Sequence, residues 1–222
     1  MSESSDRQAA RVRDMPGPRR SKGLTGGPLG FVFAWPYRVI LAGLYRAGVR
    51  PWQLTVASLV LNLATGAVLL TGERVTAGVL LFLAGACDVF DGSVARLRGE
   101  EKRSGAFLDS VLDRIGDMVL FACLFWVESG NGRDLNAALS LATLVIALSV
   151  SHVRAEAEAA GVRLTEGFFQ RLERYVAVIL GLIIPGALTP MLILLVVLGG
   201  VTVVQRVWSA LQRIDQRVSG SA

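Results

Sequence analysis

Between residues 52 and 209 the chain passes through six apolar stretches, about 52–71, 76–97, 105–127, 136–157, 169–186 and 190–209, each long enough to cross a bilayer. Hydrocarbon offers no water to backbone N–H and C=O groups, so continuous apolar runs of this length are expected to be helices that satisfy those groups internally. With 222 residues, 52% of them hydrophobic, the chain suits one polytopic membrane domain better than a soluble core. The Gly and Ala scattered through the apolar stretches are what close helix packing in lipid requires. The expected fold is all-α and integral to the membrane, a bundle of six transmembrane helices preceded by an N-terminal interfacial amphipathic helix.

Charge sets the expected orientation. The links around Glu73-Arg74, Glu128 to Asp134 and Pro185 to Pro190 hold only Arg74 and Arg133, whereas the N-terminal tail, Arg98 to Arg103, Arg154 to Arg174 and the C-terminus hold nearly all other bases. The positive-inside tendency then places both termini in the cytoplasm of a multi-pass cell-membrane protein. Residues 1–28 combine six Lys and Arg with Ser, Gly and Pro and lack an apolar core. They read as a disordered cytoplasmic tail and not as a signal peptide. Without interleaved aromatic residues, the partner of that tail is the anionic leaflet and not nucleic acid. Residues 29–48 mix Phe31, Phe33, Trp35, Tyr37 and Tyr45 with Arg38 and Arg46, which suits a helix lying in the interface. The expected division is a tail over 1–28, a membrane domain over 29–210 and a second cytoplasmic tail over 211–222. Cys87 and Cys123 lie in apolar runs and read as small buried residues.

Four carboxylates interrupt this pattern. The stretch DVFDGSVARLRGEEKRSGAFLDSVLD carries Asp88 and Asp91 before a polar loop and Asp109 and Asp113 after it. At about 100° per residue, Asp88, Asp91, Gly92 and Ala95 share one helical face, and Asp109, Asp113 and Asp117 share a face on the next helix. An ionised Asp costs about 2.5 to 3.5 kcal/mol at the centre of a membrane helix, so four of them need partners. Facing carboxylates repel unless protonated or bridged, and hard oxygen ligands suit Mg²⁺ or Mn²⁺ better than zinc. Gly92, Ala95 and Gly105 remove bulk around the acids, and Arg96 presents a guanidinium suited to a phosphate or diphosphate. Gly99 is expected to cap the first helix and Ser104 to open the second.

The constellation Asp88-x-x-Asp91-Gly92-x-x-Ala95-Arg96, eight residues, then Gly105-x-x-x-Asp109-x-x-x-Asp113 resembles the signature of the CDP-alcohol phosphotransferases (phosphatidyltransferases) at every position. The resemblance implies a transferase that moves a phosphatidyl group from CDP-diacylglycerol, or a related CDP-lipid, to the hydroxyl of a small polar acceptor and releases CMP. It implies two bound cations, with Asp88, Asp91 and Asp109 as principal ligands and Asp113 both near the metals and acting as general base. It also implies that Gly92, Ala95 and Gly105 line the cytidine pocket and that Arg96 contacts the phosphates.

The flanking sequence from Gly105 through Asp117 looks like prokaryotic members that use inositol phosphate; glycerol 3-phosphate is the alternative acceptor. A phosphorylated acceptor needs cations from outside the acidic motif. Arg154, Arg171, Arg174 and Arg206, at the inner ends of the fourth, fifth and sixth spans, are the candidates, against the plainer reading of a solvated charged face. Asp117 reads as a partner behind the ligands, and His152 as a packing or hydrogen-bonding residue. A cation transporter would need ionisable residues near the midplane of several helices, and a prenyltransferase gives no reason for Gly92, Ala95, Arg96 and Gly105 at these offsets. A homodimer is compatible with this pattern.

Overall fold

A computed structural model describes residue 15 and residues 28–162, 164 and 171–219, with only the backbone described at 28–34, 171 and 217–219. The expected tail thus lies outside the described residues, Met15 and Pro28 apart. The described residues form seven helices: α1 (Pro28–Arg46), α2 (Pro51–Leu70), α3 (Arg74–Arg98), α4 (Arg103–Gly130), α5 (Asp134–Ala159), α6 (Arg171–Ile183) and α7 (Leu188–Ser219). Left-handed glycines at Gly48, Gly72, Gly99, Gly132, Gly161 and Gly186 punctuate the links, where a side chain would be strained. Gly99 ends α3 as expected, at φ 65°, with the Glu100 amide donating to the Ala95 carbonyl at 2.9 Å. The expected Ser104 start is corrected: α4 begins at Arg103 and its cap is Lys102, whose extended backbone (φ −118°, ψ 142°) turns the chain without a side-chain hydrogen bond.

Among the described residues, four helices are long and apolar enough to cross a membrane: α2, α3, α5 and α7. Of the six expected spans, the two that α4 and α6 stand for differ for visible reasons. The 28 residues of α4 suffice in length, but its first 15 carry Arg103, Asp109, Asp113, Arg114 and Asp117, and α6 has only 13 described residues. Apart from α1, neighbouring helices close a ring in the order α2, α4, α5, α7, α6, α3 and back to α2, while α1 leans on α3. Leu69, Leu81, Leu120, Phe121, Leu124, Val178, Leu192 and Leu195 fill its centre.

Polarity is inverted relative to a soluble protein. Phe82, Trp126 and Val204 face outward, while Asn62, Thr65, Ser140, Thr143 and Thr202 are buried. The buried hydroxyls of Thr65, Ser140, Thr143 and Thr202 donate to carbonyls one turn earlier, so each of these four is satisfied within its own helix. Glycines set the closest approaches. A β-carbon on Gly78 would fall 2.7 Å from Ile183 Cγ1, on Gly66 2.7 Å from Val119 Cγ1, and on Gly199 2.6 Å from Ile146 Cγ2.

Candidate active site

The last three turns of α3 and the first three of α4 carry the acids, yet these two helices make no close backbone approach among the described residues. Both pack on α2 instead. The gap between them is a cleft lined by Asp88 from α3, by Asp109, Leu112 and Asp113 from α4, and by Thr55, Ser58, Leu59 and Asn62 from α2. Across it, one carboxylate oxygen each of Asp88, Asp91 and Asp109 lies within 4.8 Å of the others. Asp91 is buried, and the Thr55 hydroxyl donates to its Oδ2 at 2.8 Å.

Three carboxylates this close, in low dielectric, repel strongly unless a cation stands among them. Oxygen ligands of Mg²⁺ lie 2.0–2.1 Å from the ion and those of larger divalent ions slightly further, so opposed ligands fall about 4 to 5 Å apart, which the cluster matches. The donor set is all oxygen; neither Cys123 nor His152 joins it. The residues therefore fit a divalent cation of the Mg²⁺ or Mn²⁺ kind better than zinc.

Around the cluster the small residues leave space. A β-carbon on Gly105 would meet nothing within 4 Å, and one on Gly92 would meet only Arg96 Nη1, at 3.6 Å. Ala95 is half-buried on the same face. Arg96 folds back along α3, its Nη2 donating to Ser93 Oγ at 2.8 Å.

The expected acceptor arginines are placed differently from one another. Arg174 is largely buried and donates to Asp117 Oδ2 at 2.6 Å, one turn beyond Asp113. Arg206 is buried, its Nη1 donating to the Val150 carbonyl at 3.0 Å. Arg154 is exposed and pairs with Glu158 at 2.9 Å, as on a solvated helix face. Arg171 opens α6, and its side chain lies outside the described residues. Of the three whose side chains are described, Arg154, Arg174 and Arg206, none lines the cleft. His152 is exposed with Nδ1 4.0 Å from Glu156, so the packing expected of it is corrected: it stands on the outward side of α5.

Sequence reasoning passed over the α2 wall. Thr55, Ser58, Asn62 and Thr65 recur at three- and four-residue steps in an apolar helix, a polar stripe that marks an inward face. Asn62 is held at both ends, its Nδ2 donating to the Ser58 carbonyl at 3.0 Å and its Oδ1 accepting from Tyr175 at 3.1 Å. Thus α6 braces the cleft from behind, through Arg174 on α4 and Tyr175 on α2.

A helical membrane protein with an all-oxygen cation site at one end of its bundle, flanked by small residues and arginines, is built for chemistry on phosphates. Residues 49–210 match the family profile of CDP-alcohol phosphatidyltransferase, and the chain belongs to that family. It is 37% identical over 150 residues to the phosphatidylinositol phosphate synthase of Corynebacterium glutamicum, covering 66% of this chain and 68% of that one. Its fold is similar to a crystal structure of Mycobacterium tuberculosis phosphatidylinositol phosphate synthase with CDP-DAG bound, at a TM-score of 0.70 and 31% identity over 78% of this chain and 92% of that one. The same enzyme in complex with manganese and citrate aligns at a TM-score of 0.69 and 31% identity, over 78% of this chain and 87% of that one.

Proposed function

We propose that this chain transfers the phosphatidyl group of CDP-diacylglycerol to a hydroxyl of inositol phosphate and releases CMP. The observation that carries the reading is the meeting of Asp88, Asp91 and Asp109 in one cluster, with Asp113 on the same cleft. Relatives named for phosphatidylinositol phosphate synthesis, one of them solved with CDP-DAG bound, support the choice of donor and acceptor.

Two Mg²⁺ or Mn²⁺ ions, when bound, would neutralise charge on the diphosphate and on the departing CMP. Asp88, Asp91 and Asp109 hold them, with Asp113 near by. Gly92, Ala95 and Gly105 leave room for the cytidine nucleotide, and Arg96 takes its phosphates through a forked guanidinium. Asp113 accepts the proton of the acceptor hydroxyl as that oxygen bonds to the phosphorus bearing diacylglycerol and the bond from phosphorus to the CMP oxygen breaks. Arg174 and Arg206, already anchored at the inner ends of α6 and α7, with Arg154 and Arg171, are assigned to the acceptor phosphate.

The same reading makes α1 an interfacial helix, α2 to α7 six spans, residues 29–210 the catalytic domain, and both termini and the cleft cytoplasmic. The bases gathered in the links next to the cleft support the orientation, and the exposed Trp35 of α1 and Trp52 at the start of α2 suit interfacial anchors. The test is CMP release from CDP-diacylglycerol by purified protein with Mn²⁺ and a panel of acceptors. Release with inositol phosphate and not with glycerol 3-phosphate is expected; the reverse preference overturns the acceptor, and no release with any acceptor overturns the activity. Replacing Arg174 or Arg206 by Ala should raise the acceptor KM roughly tenfold and leave the KM for CDP-diacylglycerol nearly unchanged.

A further inference from the structure

The junction of α1 with α3 contains a hydrogen-bonded chain that ends on a signature residue. Tyr37, Leu41 and Tyr45, four residues apart on α1, face the last turns of α3. The Tyr37 ring stacks on Phe90 with centroids 5.1 Å apart, Leu41 is wholly buried, and Arg98 stands 5.3 Å over the Tyr45 ring. Within this apolar contact the Tyr37 hydroxyl lies 2.5 Å from Ser93 Oγ, and Ser93 Oγ accepts from Arg96 Nη2 at 2.8 Å.

Proton bookkeeping gives this chain a direction. Ser93 has one hydroxyl proton and two lone pairs, and its Oγ lies 3.0 Å from the Val89 carbonyl, to which it donates. Arginine has no acceptor, so it can only donate to Ser93, and the remaining lone pair takes the proton of Tyr37. Ser93 is only 1% exposed, so a missing partner there would not be replaced by water. The consequence falls on Arg96. With Nη2 held by Ser93, its Nη1 lies over Gly92, one turn from Asp88 on the acid-bearing face.

We infer that Tyr37 is a positioning residue for CDP-lipid binding: through Ser93 it holds the Arg96 guanidinium in the pose that receives the diphosphate, so that docking of α1 completes the donor site. This rests on the assignment of Arg96 to the CDP phosphates. An arginine side chain left free must give up rotamer freedom when it binds, and one already fixed gives up less, so the relay acts on donor affinity and not on the chemical step.

The test uses the full chain in CDP-diacylglycerol-containing mixed micelles. Tyr37→Phe keeps the ring stacked on Phe90 and removes one proton donor. It should raise the KM for CDP-diacylglycerol roughly three- to tenfold, while kcat and the acceptor KM stay within about twofold. Mn²⁺ affinity, read by electron paramagnetic resonance, should be unchanged. In an Arg96→Lys background the same substitution should add nothing, because lysine lacks the second nitrogen needed to hold Ser93 and a phosphate together. A Tyr37→Phe protein that loses only thermal stability, or whose effect adds fully to that of Arg96→Lys, overturns the relay. If Tyr37→Phe does not fold, Ser93→Thr, which keeps the oxygen, is compared with Ser93→Ala: a raised donor KM in Ala alone supports the relay, and equal KM values sink it. Arg96→Lys by itself separates the two layers. If it leaves the donor KM unchanged, the role of Arg96 falls; if it raises that KM while Tyr37→Phe does not, only the relay falls.

Discussion

At the residue scale, the acids around the cleft differ in what they touch, and their substitutions should differ accordingly. Asp113 lines the cleft but stands outside the three-carboxylate cluster. Asp113→Asn should therefore lower turnover by about a thousandfold or more while CDP-diacylglycerol binding remains measurable. Asp91 belongs to the cluster and is fixed by Thr55, so Asp91→Asn should weaken Mn²⁺ binding as well as turnover. Near-normal turnover in Asp113→Asn would remove its role as base. Another buried acid, Glu128, lies about 28 Å along α4 from Asp109, in the last turn of that helix. It is wholly buried and bonds Arg133, Arg74 and Asn136, the last of which accepts from Thr189 at the start of α7. Glu128→Gln removes the charge that Arg74 and Arg133 share and should lower Tm by roughly 5 to 10 °C, read by thermal shift; an unchanged Tm would show that the pairs add nothing.

At the element scale, the helices meet where side chains are missing. Gly78 of α3 faces Ile183 of α6 so closely that any β-carbon displaces it. Gly78→Ala should lower Tm by a few degrees, and Ile183→Ala in the same chain should restore part of the loss, since the second truncation opens the space that the first fills. Additive losses in a thermal-shift series would show that the two residues do not compete. Most helix bounds were legible in the residues to within a few positions, because apolar length and glycine stops act locally; the exception is α7, which runs to Ser219, ten residues past the expected end at 209 and into the expected 211–222 tail. The cap of α4 was not: Ser104 is a good capping residue by type, but the extended backbone at Lys102 decides where the turn closes. The polar stripe of α2 was visible as a pattern, whereas its use as the cleft wall depends on α2 packing against both α3 and α4.

At the scale of the whole molecule, charge alternation and the placement of the cleft make one statement about orientation. In a chain with Cys87 and Cys123 replaced by Ser, a cysteine introduced beside Arg133 should react with an impermeant maleimide added outside intact cells, and one at Lys102 should not. The opposite pattern would overturn the orientation and the cytosolic site together. The linear chain by itself determined the membrane-helical class, the grouping of Asp88, Asp91, Asp109 and Asp113 and the family they signal, because helical periodicity and hydropathy act over a few turns. Only the tertiary structure decided that the acidic helices stand apart across α2, and that Arg174 and Tyr175 of α6 brace the cleft from behind. It alone joined Tyr37 to Ser93, 56 positions away. The physical reason is range: a pattern of side chains fixes which face of a helix turns inward, but which faces then meet is set by the packing of all the helices at once, where a glycine or a single hydroxyl selects the neighbour.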